Sequence, residues 1–382
     1  MDIREINCID EVDALQESWR LLLQKTPGAN FFQSLEWLRT YWQHFGNSQH
    51  LRVLVVEQQG EITGILPLVV RLERTKVGSL DYLTYPLDYW GSFYGPIGPD
   101  PDQVLAAGLE YLHAAGLEAD VLELRWLGDQ HGECDRAEHL LRAAGYAPMR
   151  SQFDSTSVVN FSGTWEDYLA SRTSKWRNNY RRWNRQLNAL GEVTHLRFRP
   201  DANEQGDLGW EYYDECLRIA AASWQGASQT GTTLTHEAVA PYLKDTHATA
   251  ARCGCIDLNL LYLDGRAIAF AYNYVFQGHV YGLRVGYDPD LSCKGAGNLL
   301  YAKMIEDSYQ RGDWRHDLGP RHLECKRALV TDVLPIYRLS CYKSWSVRQQ
   351  LLRLKRQWDA RNLEPACVPV PELPMAPMLV EH

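Results

Sequence analysis

The sequence lacks any apolar stretch long enough to cross a membrane. The longest such stretches, residues 64–70 and 267–274, are far shorter than the ~20 residues that a membrane helix requires. The N-terminal segment MDIREINCIDEVD is acidic and lacks both the positive start and the apolar centre of a secretory signal peptide. We therefore expect no membrane span and a cytoplasmic location.

Disulfide frameworks, metal-ligand spacings and common hydrolase motifs are also missing. Nine cysteines without a secretion signal fit reduced thiols better than paired ones. Cys253 and Cys255 form a close pair, but neither a second pair nor paired histidines accompany them, so we expect no metal. The absence of GxSxG, HExxH and Walker motifs excludes serine hydrolases, zinc proteases and P-loop NTPases of the usual kinds.

What the chain does have is the composition of a folded protein with more than one core. Of its 382 residues, 45% are hydrophobic and 23% are charged, close to the average for globular domains. At about 150 residues per domain, this length predicts two domains.

The predicted elements follow the same order in the two halves of the chain. Each half predicts two helices, a hairpin, a third strand, a glycine-containing loop, a helix and a strand. In the first half these segments are 11–23, 34–45, 51–57, 62–71, 80–85, 91–101, 103–115 and 121–126. In the second half they are 165–190, 208–222, 256–263, 267–276, 279–287, 288–297, 298–311 and 314–318.

This order predicts a mixed α/β (α+β) architecture in which each mostly antiparallel sheet is flanked by helices. We expect an N-terminal domain over 1–150 and a C-terminal domain over 151–362. The C-terminal domain would end with a basic helical stretch, 346–361. The proline-rich segment 363–382 is predicted to be a flexible tail.

Positive charge is concentrated in two stretches of an otherwise acidic chain. The net charge is -9, yet residues 172–199 contain eight basic residues and one acid, Glu192. Residues 338–361 contain seven basic residues and one acid, Asp359. Such runs are either solvated helix faces or docking surfaces for an anionic partner, such as the phosphates of CoA, an acidic carrier protein or RNA.

The sequence Gly295-Ala296-Gly297, between a predicted strand and a predicted helix, resembles the phosphate loop of the GNAT acyltransferase fold. The second half resembles, more narrowly, the CelD/BcsL group of cellulose-biosynthesis acetyltransferases (the BioF2-like acetyltransferase domain). The tandem order of elements is similar to that of the FemAB peptidoglycan aminoacyltransferases. The stretches that carry the resemblance lie within about residues 155–345: 177–182, 261–269, 286–290, 316–319 and Lys326.

The GNAT resemblance implies a site for acyl-CoA, most simply acetyl-CoA, at the start of this helix. Glycines let backbone N–H groups approach a pyrophosphate, and a helix N-terminus attracts negative charge. The implied donor-binding residues are Lys294, Gly295, Ala296, Gly297 and Asn298. Ser292 departs from the family, which usually has Gln or Arg there, and Lys294 would supply the missing charge.

Acyl transfer also needs a base for the acceptor and an acid for the departing thiolate. The candidates are Asp317, His316, Tyr337 and Lys326. Strand alternation points His316 and Asp317 to opposite faces, and we favour Asp317 because the family resemblance includes it. Their structural alternatives are a turn cap for Asp317, a surface position for His316, an aromatic core position for Tyr337 and a pair with Glu324 for Lys326.

Four further residues are candidates for binding substrates. Trp224 precedes a polar segment, 225–233, that is typical of a flap over an acceptor, and His236 follows this segment. Arg177 and Arg181 lie in the first basic stretch and could dock a donor or carrier. An ordinary loop and a solvated helix are the respective structural alternatives.

Together these features predict an acyltransferase. It would move an acyl group, most simply acetyl, from acyl-CoA or a carrier-protein thioester to an amine or hydroxyl of a small molecule or (exo)polysaccharide precursor by direct attack. The first domain would help to form the acceptor cleft without a donor site, because Pro96 and Pro99 leave fewer N–H groups there. Two alternatives remain: a FemAB-like transferase that uses aminoacyl-tRNA, and a non-catalytic GNAT-like binding protein in a polysaccharide-synthesis complex.

Overall fold

The computed structural model describes residues 1–87, 90–116, 118–128, 132–223, 225–226, 233–290, 295–320, 323–342 and 346–362. The chain divides into two compact units. Unit 1 contains Met1–Ser155 and a C-terminal segment that begins at Leu334, and unit 2 contains Thr156–Val333. Within the described residues, no helix combines the length and the apolar character that crossing a bilayer would require.

The strands, in chain order, are β1 (Asp2–Ile6), β2 (Gln49–Gln58), β3 (Glu61–Thr75), β4 (Gly78–Thr84), β5 (Val121–Leu127), β6 (Pro148–Asn160), β7 (Val193–Phe198), β8 (Ile256–Leu263), β9 (Arg266–Phe276), β10 (His279–Tyr287), β11 (Arg315–Pro320) and β12 (Asp332–Tyr342). The α-helices are α1 (Ile9–Asp13), α2 (Gln16–Lys25), α3 (Leu35–Phe45), α4 (Pro101–Ala115), α5 (Glu133–Ala143), α6 (Trp165–Ser171), α7 (Ser174–Asn188), α8 (Trp210–Ala222), α9 (Ala240–Arg252), α10 (Ala296–Arg311), α11 (Leu323–Lys326) and α12 (Val347–Asn362). Short 3₁₀ turns occupy Phe31–Gln33 and Gly46–Ser48.

The sheet of unit 1 has the strand order β1-β2-β3-β4-β5-β12. Strands β4 and β5 are parallel, whereas the other neighbouring pairs in this order are antiparallel. The inner strands carry continuous apolar runs, as in Val53–Val56, whose side chains are almost fully buried. Helix α4 connects the parallel pair and packs against β3 through Gly108, where an added Cβ would lie 2.5 Å from the Leu66 side chain.

The sheet of unit 2 has the order β6-β11-β10-β9-β8-β7. Strands β10 and β11 are parallel, and the other neighbours in this order are antiparallel. Helix α10 connects the parallel pair and packs on the sheet through buried Leu299, Leu300 and Met304. The parallel pair and its connecting helix thus recur in both units, as the repeated element order predicts.

Several predicted elements are confirmed, and two predicted helices are divided, of which 11–23 forms α1 and α2. The two hairpins form as β2–β3 and β8–β9. The helix predicted over 165–190 is divided into α6 and α7, because Arg172 is extended and the Thr173 hydroxyl accepts a hydrogen bond from the backbone N–H of Trp176. This N-cap starts a second helix where periodicity alone predicts one continuous helix.

The C-terminal part of the chain differs from the sequence-based assignment to a domain of 151–362. Residues from Leu334 onward belong to unit 1, because β12 pairs with β5 from Tyr337↔Leu127 to Tyr342↔Val121. The predicted basic helix is present as α12, and its Arg356 hydrogen-bonds to the Ser340 and Tyr342 side chains of β12. The predicted tail, 363–382, lies outside the described residues.

Candidate functional site

No side chain among the described residues caps the N-terminus of α10. Gly295 is the N-cap residue and adopts a φ of 116°, which only glycine adopts readily. The first hydrogen bond of the helix runs from Leu299 N to Gly295 O at 2.9 Å. The N–H groups of the first turn precede this bond and have no acceptor within the helix, and such groups are the ones that bind anions at helix N-termini.

The two glycines of this turn have different surroundings. A Cβ added to Gly295 would lie 2.2 Å from the indole of Trp183, so glycine is required for close packing as well as for its backbone angle. Among the described residues, a Cβ added to Gly297 would meet Tyr287 Cδ1, at 3.6 Å, and no other atom within 4 Å. Because the Tyr287 side chain is 48% exposed, Gly297 marks the accessible side of the turn.

The chain that leads into this turn is anchored by a buried carboxylate. Asp288, which follows β10, is 2% exposed and accepts hydrogen bonds from Arg266 at 3.2 Å and Arg218 at 3.5 Å. The other oxygen of Asp288 accepts from the backbone N–H of Asp290 at 3.1 Å. These contacts fix the direction of the chain as it leaves the sheet.

The two parallel strands of unit 2 separate as they approach α10. Register pairs run from His279↔Arg315 to Tyr281↔Asp317, and a bulge then interrupts β10 between Gly282 and Arg284. Beyond it, β10 remains paired with β9 as far as Tyr287, but no further register pairs with β11 occur among the described residues. The separated edge of β10 therefore leads from Asp317 towards the start of α10.

Two glycines allow the backbones to approach closely at the point of separation. A Cβ on Gly282 would lie 2.7 Å from the carbonyl oxygen of Asp317. A Cβ on Gly319, whose φ is 82°, would lie 2.8 Å from the carbonyl oxygen of Gly282. Side chains at these positions would force the strands apart before the bulge.

Asp317, an acid–base candidate, lies where β10 and β11 separate. The residue is 4% exposed, and its Oδ1 atom accepts hydrogen bonds from the Thr156 hydroxyl and, at 2.7 Å, from the backbone N–H of Gly319. Burial raises the pKa of the carboxyl above its ordinary value, against these hydrogen bonds and the charge of Lys326. The contact with Gly319 is the turn cap that the sequence offered as an alternative, but Oδ2 accepts no hydrogen bond from the described residues.

His316 lies in the interior and not at the surface position considered from the sequence. It is 0% exposed, and neither ring nitrogen has a hydrogen-bond partner in the described part of the chain. Burial lowers its pKa to about 3, although the charge of Asp257 opposes this shift. The imidazole is therefore neutral near pH 7 and is a poor proton donor there.

Lys326 and Tyr337 have defined contacts of other kinds. The Lys326 ammonium donates to the carbonyl oxygens of Gly319 at 2.8 Å and Pro320 at 3.4 Å, whereas Glu324 pairs with Arg327. Lys326 thus fixes the backbone turn after Asp317. Tyr337 belongs to unit 1, where the Arg150 guanidinium lies 3.9 Å from the centre of its ring. The structure thus assigns Tyr337 and Asp317 to different units.

Helix α7 brings positive charge to the start of α10. Its buried residues Leu187 and Trp176 pack in the clusters of Leu299 and Ile305 respectively, so the two helices run in opposite directions. The last two turns of α7 therefore lie beside Gly295, as the Trp183 contact also shows. These turns expose the basic face of α7, defined as Arg181, Arg182 and Arg185, and none of the three has an acidic partner among the described residues.

The two arginines selected from the sequence are not equivalent. The Arg177 guanidinium donates to the backbone carbonyls of Ala170, at 2.9 Å, and Arg172, which ties α7 to the end of α6. Arg181 is exposed, and its nearest polar partner is Asn178 Oδ1, at 3.4 Å. Arg181 is therefore better placed than Arg177 to meet a ligand.

Three other residues selected from the sequence lie outside the described residues, and His236 lies within them. Trp224, Lys294 and Ser292 lie outside the described residues, as does most of the segment 225–233. His236 is half-buried, and its Nδ1 accepts from the backbone N–H of Ala238 at 3.3 Å. In the part of the chain that is described, no group of three or more His, Cys, Asp or Glu residues could hold a metal.

One surface cleft was not predictable from the sequence, because residues that are distant in the chain form it. A surface cleft of about 520 Å³ lies between α8 and the β8–β9 hairpin. Its lining includes Glu215, Tyr262, Arg218 and Arg266, and these two arginines also hold Asp288. Arg218 and Arg266 thus line the cleft and also bind Asp288, in the chain that leads to α10.

Comparison with models of known protein families gives a match to the part of the chain that contains this site. Residues 174–327 match the family model of the acetyltransferase (GNAT) domain. The match includes α7, β10, the start of α10 and Asp317. A search of curated proteins found no significant match to the chain.

Solved structures resemble the whole chain at low sequence identity. FemX superposes with a TM-score of 0.57 at 14% identity and covers 94% of this chain and 100% of FemX. The C-terminal domain of a putative lysylphosphatidylglycerol synthetase from Agrobacterium fabrum gives a TM-score of 0.53 at 10% identity, over 91% of this chain and 96% of that one. A conserved protein of unknown function from Bacteroides thetaiotaomicron gives 0.52 at 14% identity, over 90% and 100%.

At these identities the structural likeness concerns the fold. The predicted fold class is confirmed: a mixed α/β arrangement with mostly antiparallel strands, flanking helices and a GNAT-type fold. The family match supports a transferase of the acetyltransferase type at this coarse level. It does not distinguish the CelD/BcsL group from other GNAT proteins.

Proposed function

We propose that the protein is an acyltransferase that binds an acyl thioester, most simply acetyl-CoA, in unit 2. The phosphates would lie against the first turn of α10, at Gly295, Ala296, Gly297 and Asn298. The pantetheine arm would follow the separated edge of β10 towards Asp317. The acceptor would be an amine or hydroxyl of a small molecule or an exopolysaccharide precursor, as the CelD/BcsL resemblance implies.

The observation that carries this proposal is the contrast between two equivalent helix starts. Helix α10 begins at an uncapped left-handed glycine. Helix α4, the equivalent helix of unit 1, is capped by the Asp100 side chain, which accepts from Gln103 N at 3.0 Å, and has Pro101 in its first turn. A carboxylate and a missing N–H make the start of α4 unfavourable for an anion. This contrast supports a single donor site, in unit 2.

In the proposed reaction, Asp317 acts as the general base. The acceptor nitrogen or oxygen attacks the thioester carbonyl carbon, the carbon–sulfur bond breaks, and sulfur leaves as the thiolate. The proton of the acceptor passes to Oδ2 of Asp317, while Thr156 and Gly319 hold Oδ1. A carboxyl with a raised pKa is a stronger base than an ordinary one, which suits this role.

Calorimetry with acetyl-CoA tests the donor site. Gly297→Val places a branched side chain where the phosphates would approach, and the space around Gly297 accepts it without a clash. We expect the fold to survive within about 1 kcal/mol and acetyl-CoA binding to be lost. Gly95→Val in unit 1 is the matched control, because a Cβ there meets nothing within 4 Å. Normal binding by the Gly297→Val variant would remove the donor site from α10.

A second candidate is a FemAB-like transferase that uses aminoacyl-tRNA. The observation that favours it is the basic face of α7, which leaves three arginines without acidic partners among the described residues. Native mass spectrometry of the purified protein separates the candidates. Bound CoA supports the first and bound tRNA the second. If neither is bound and thioesters cause no thermal shift, a non-catalytic binding protein is favoured.

A further inference from the structure

Helix α12 is attached to unit 1 by one of its faces. Leu352 packs in a cluster with Leu80, Tyr82 and Val121. One turn before it, the Gln349 side chain donates to Asp120 Oδ1 at 3.0 Å. One turn after it, Arg356 reaches the buried Glu123 carboxylate as well as Ser340 and Tyr342. The inward face of the helix is therefore occupied along its length.

The opposite face presents four large apolar side chains to solvent. Val347, Leu351, Leu354 and Trp358 are 74%, 52%, 60% and 68% exposed. Their spacing of four, three and four residues places them in one row along the helix. We call this row the outer stripe of α12. A helix that only covers the sheet of unit 1 would carry polar residues there.

Positive charge accompanies the outer stripe. Residues 343–362 contain six basic residues and one acid, Asp359, although the whole chain has a net charge of -9. Arg348 is exposed and Arg353 is half-buried, and neither has an acidic partner in the described part of the chain. At 100° per residue, Arg348 and Lys355 project beside the stripe on the same side. The charge that would attract an anionic surface therefore borders the apolar row.

We propose that α12 docks the protein on an anionic phospholipid surface. The leucines and Trp358 would enter the boundary between headgroups and acyl chains, where amphipathic helices bury their apolar faces and tryptophan is favoured. Arg348, which is exposed beside the stripe, would meet lipid phosphates. The helix lies on the surface and does not cross the membrane. This proposal is independent of the donor site on α10.

The size of the stripe favours a lipid surface over a second copy of the chain. Specific protein interfaces bury about 800 Å² on each partner. Four side chains in one row, of which only one is aromatic, supply roughly half of that area. Two such helices would also bring their cations together. A lipid surface requires neither a large area nor an apolar partner groove, and it supplies negative charge.

Vesicle flotation of the full chain tests the proposal. We expect binding to vesicles of phosphatidylcholine with about one quarter phosphatidylglycerol, and weak binding to phosphatidylcholine alone. Leu351→Ser together with Leu354→Ser should lower the bound fraction roughly tenfold. Leu72→Ser on β3 is the control, because this side chain is also 64% exposed in unit 1 but lies outside the stripe.

A second variant separates charge from apolar contact. Arg348→Gln should weaken binding and make it less sensitive to salt, since this cation would contact the phosphates. Thermal melting checks that each variant keeps the parent's fold. The proposal is overturned if the parent does not bind, if it binds equally to neutral vesicles, or if the leucine variant binds like the parent. A dimer that the leucine variant dissociates, in a chain that binds no vesicles, would assign the stripe to self-association instead.

Discussion

Burial affects the neighbouring side chains His316 and Asp317 in opposite directions. It lowers the pKa of the imidazole to about 3 and raises the pKa of the carboxyl. Burial disfavours the charged form of each group, so the same cause removes His316 as an acid and improves Asp317 as a base. Both residues have side-chain atoms without a hydrogen-bond partner among the described residues, but the lowered pKa makes the His316 imidazole a weak base, whereas the raised pKa makes the Asp317 carboxylate a stronger one. We therefore retain Asp317 as the proposed base.

Asp317→Asn is predicted to separate chemistry from donor binding. The amide has nearly the same shape but cannot accept the acceptor's proton. We expect kcat to fall by the roughly 10²- to 10⁴-fold typical of losing a general base, whereas calorimetry should still detect acetyl-CoA binding. In the parent enzyme, the acid limb of the kcat profile should lie above the ordinary aspartate range, because the pKa of this carboxyl is raised.

His316→Gln is the control for this substitution. The side chain is uncharged in both forms near pH 7, so kcat should change only a few-fold. If kcat falls in His316→Gln and persists in Asp317→Asn, the assignment of the base is reversed. Loss of cooperative melting in both variants would make the pair structural.

The glycines and Asp317 could be selected from the sequence because local chemistry marks them. A GxG before a predicted helix indicates an uncapped start, and a resemblance includes the aspartate. The resemblance also includes Asp288, but its anchoring role was not predictable, since its partners Arg266 and Arg218 are 22 and 70 residues away. The same limit applies to the burial of His316, which depends on strands on both sides of β11.

At the scale of the element, α7 combines a structural and an exposed set of cations. Arg177 donates to two backbone carbonyls before the helix, whereas Arg181 and Arg185 are exposed. Replacing both Arg181 and Arg185 with Ser is predicted to raise KM for the donor and to reduce its dependence on salt, because fewer phosphate contacts remain to be screened. The melting temperature should change little.

Arg177→Ser provides the structural comparison. It removes the hydrogen bonds to the carbonyls of Ala170 and Arg172, so we expect a loss of about 1–3 kcal/mol in unfolding free energy and unchanged donor KM. Steady-state kinetics at two salt concentrations and urea unfolding measure both effects. If Arg181→Ser/Arg185→Ser leaves donor kinetics unchanged, the basic face of α7 is only a solvated surface.

Elements with strong apolar periodicity were predictable, and those held by distant pairing were not. Strand β6 contains Ser155, Thr156 and Ser157, which are buried although they are polar, because β6 is an inner strand of the folded sheet. Strand β12 contains Pro335 and alternates weakly, so its register with β5 was not visible. Strands β1 and β7 and helices α5 and α9 were likewise absent from the sequence analysis. Tertiary context determines such segments more strongly than local propensity does.

At the scale of the whole molecule, the two units have the same order of elements, but their connecting helices start differently. Each has a parallel strand pair joined by a helix, but Asp100 caps α4, whereas no side chain among the described residues caps α10. The repeat was predictable from the sequence because each copy carries its own hairpin and helix periodicity. The assignment of Leu334 onward to unit 1 was not, because it depends on a contact with β5 more than 200 residues earlier.

Burial lowers the pKa of several histidines of unit 2, including His195 and His279, and the pH dependence of stability should include a contribution from two others. Burial lowers the pKa of His247 to about 4 and that of His316 to about 3, against about 6.5 in an unfolded chain. Folded pKa values below the unfolded value mean that the unfolded chain binds protons first as the pH falls. The stabilisation from the neutral histidines is therefore complete above pH ~6.5 and is lost progressively below it.

Between pH 6.5 and 5, above the ordinary carboxyl range, each histidine should lower the unfolding free energy by up to about 1.4 kcal/mol per pH unit. Urea unfolding of the parent at several pH values measures this slope for the transition of unit 2. His247→Gln together with His316→Gln should lower stability at pH 7 and flatten the slope by nearly two protons. His236→Gln, at a half-buried position of the same unit, is the matched control. An unchanged slope in the double variant would mean that the two imidazoles bind protons as readily in the folded chain as in the unfolded chain. That result would contradict the lowered pKa values of His247 and His316.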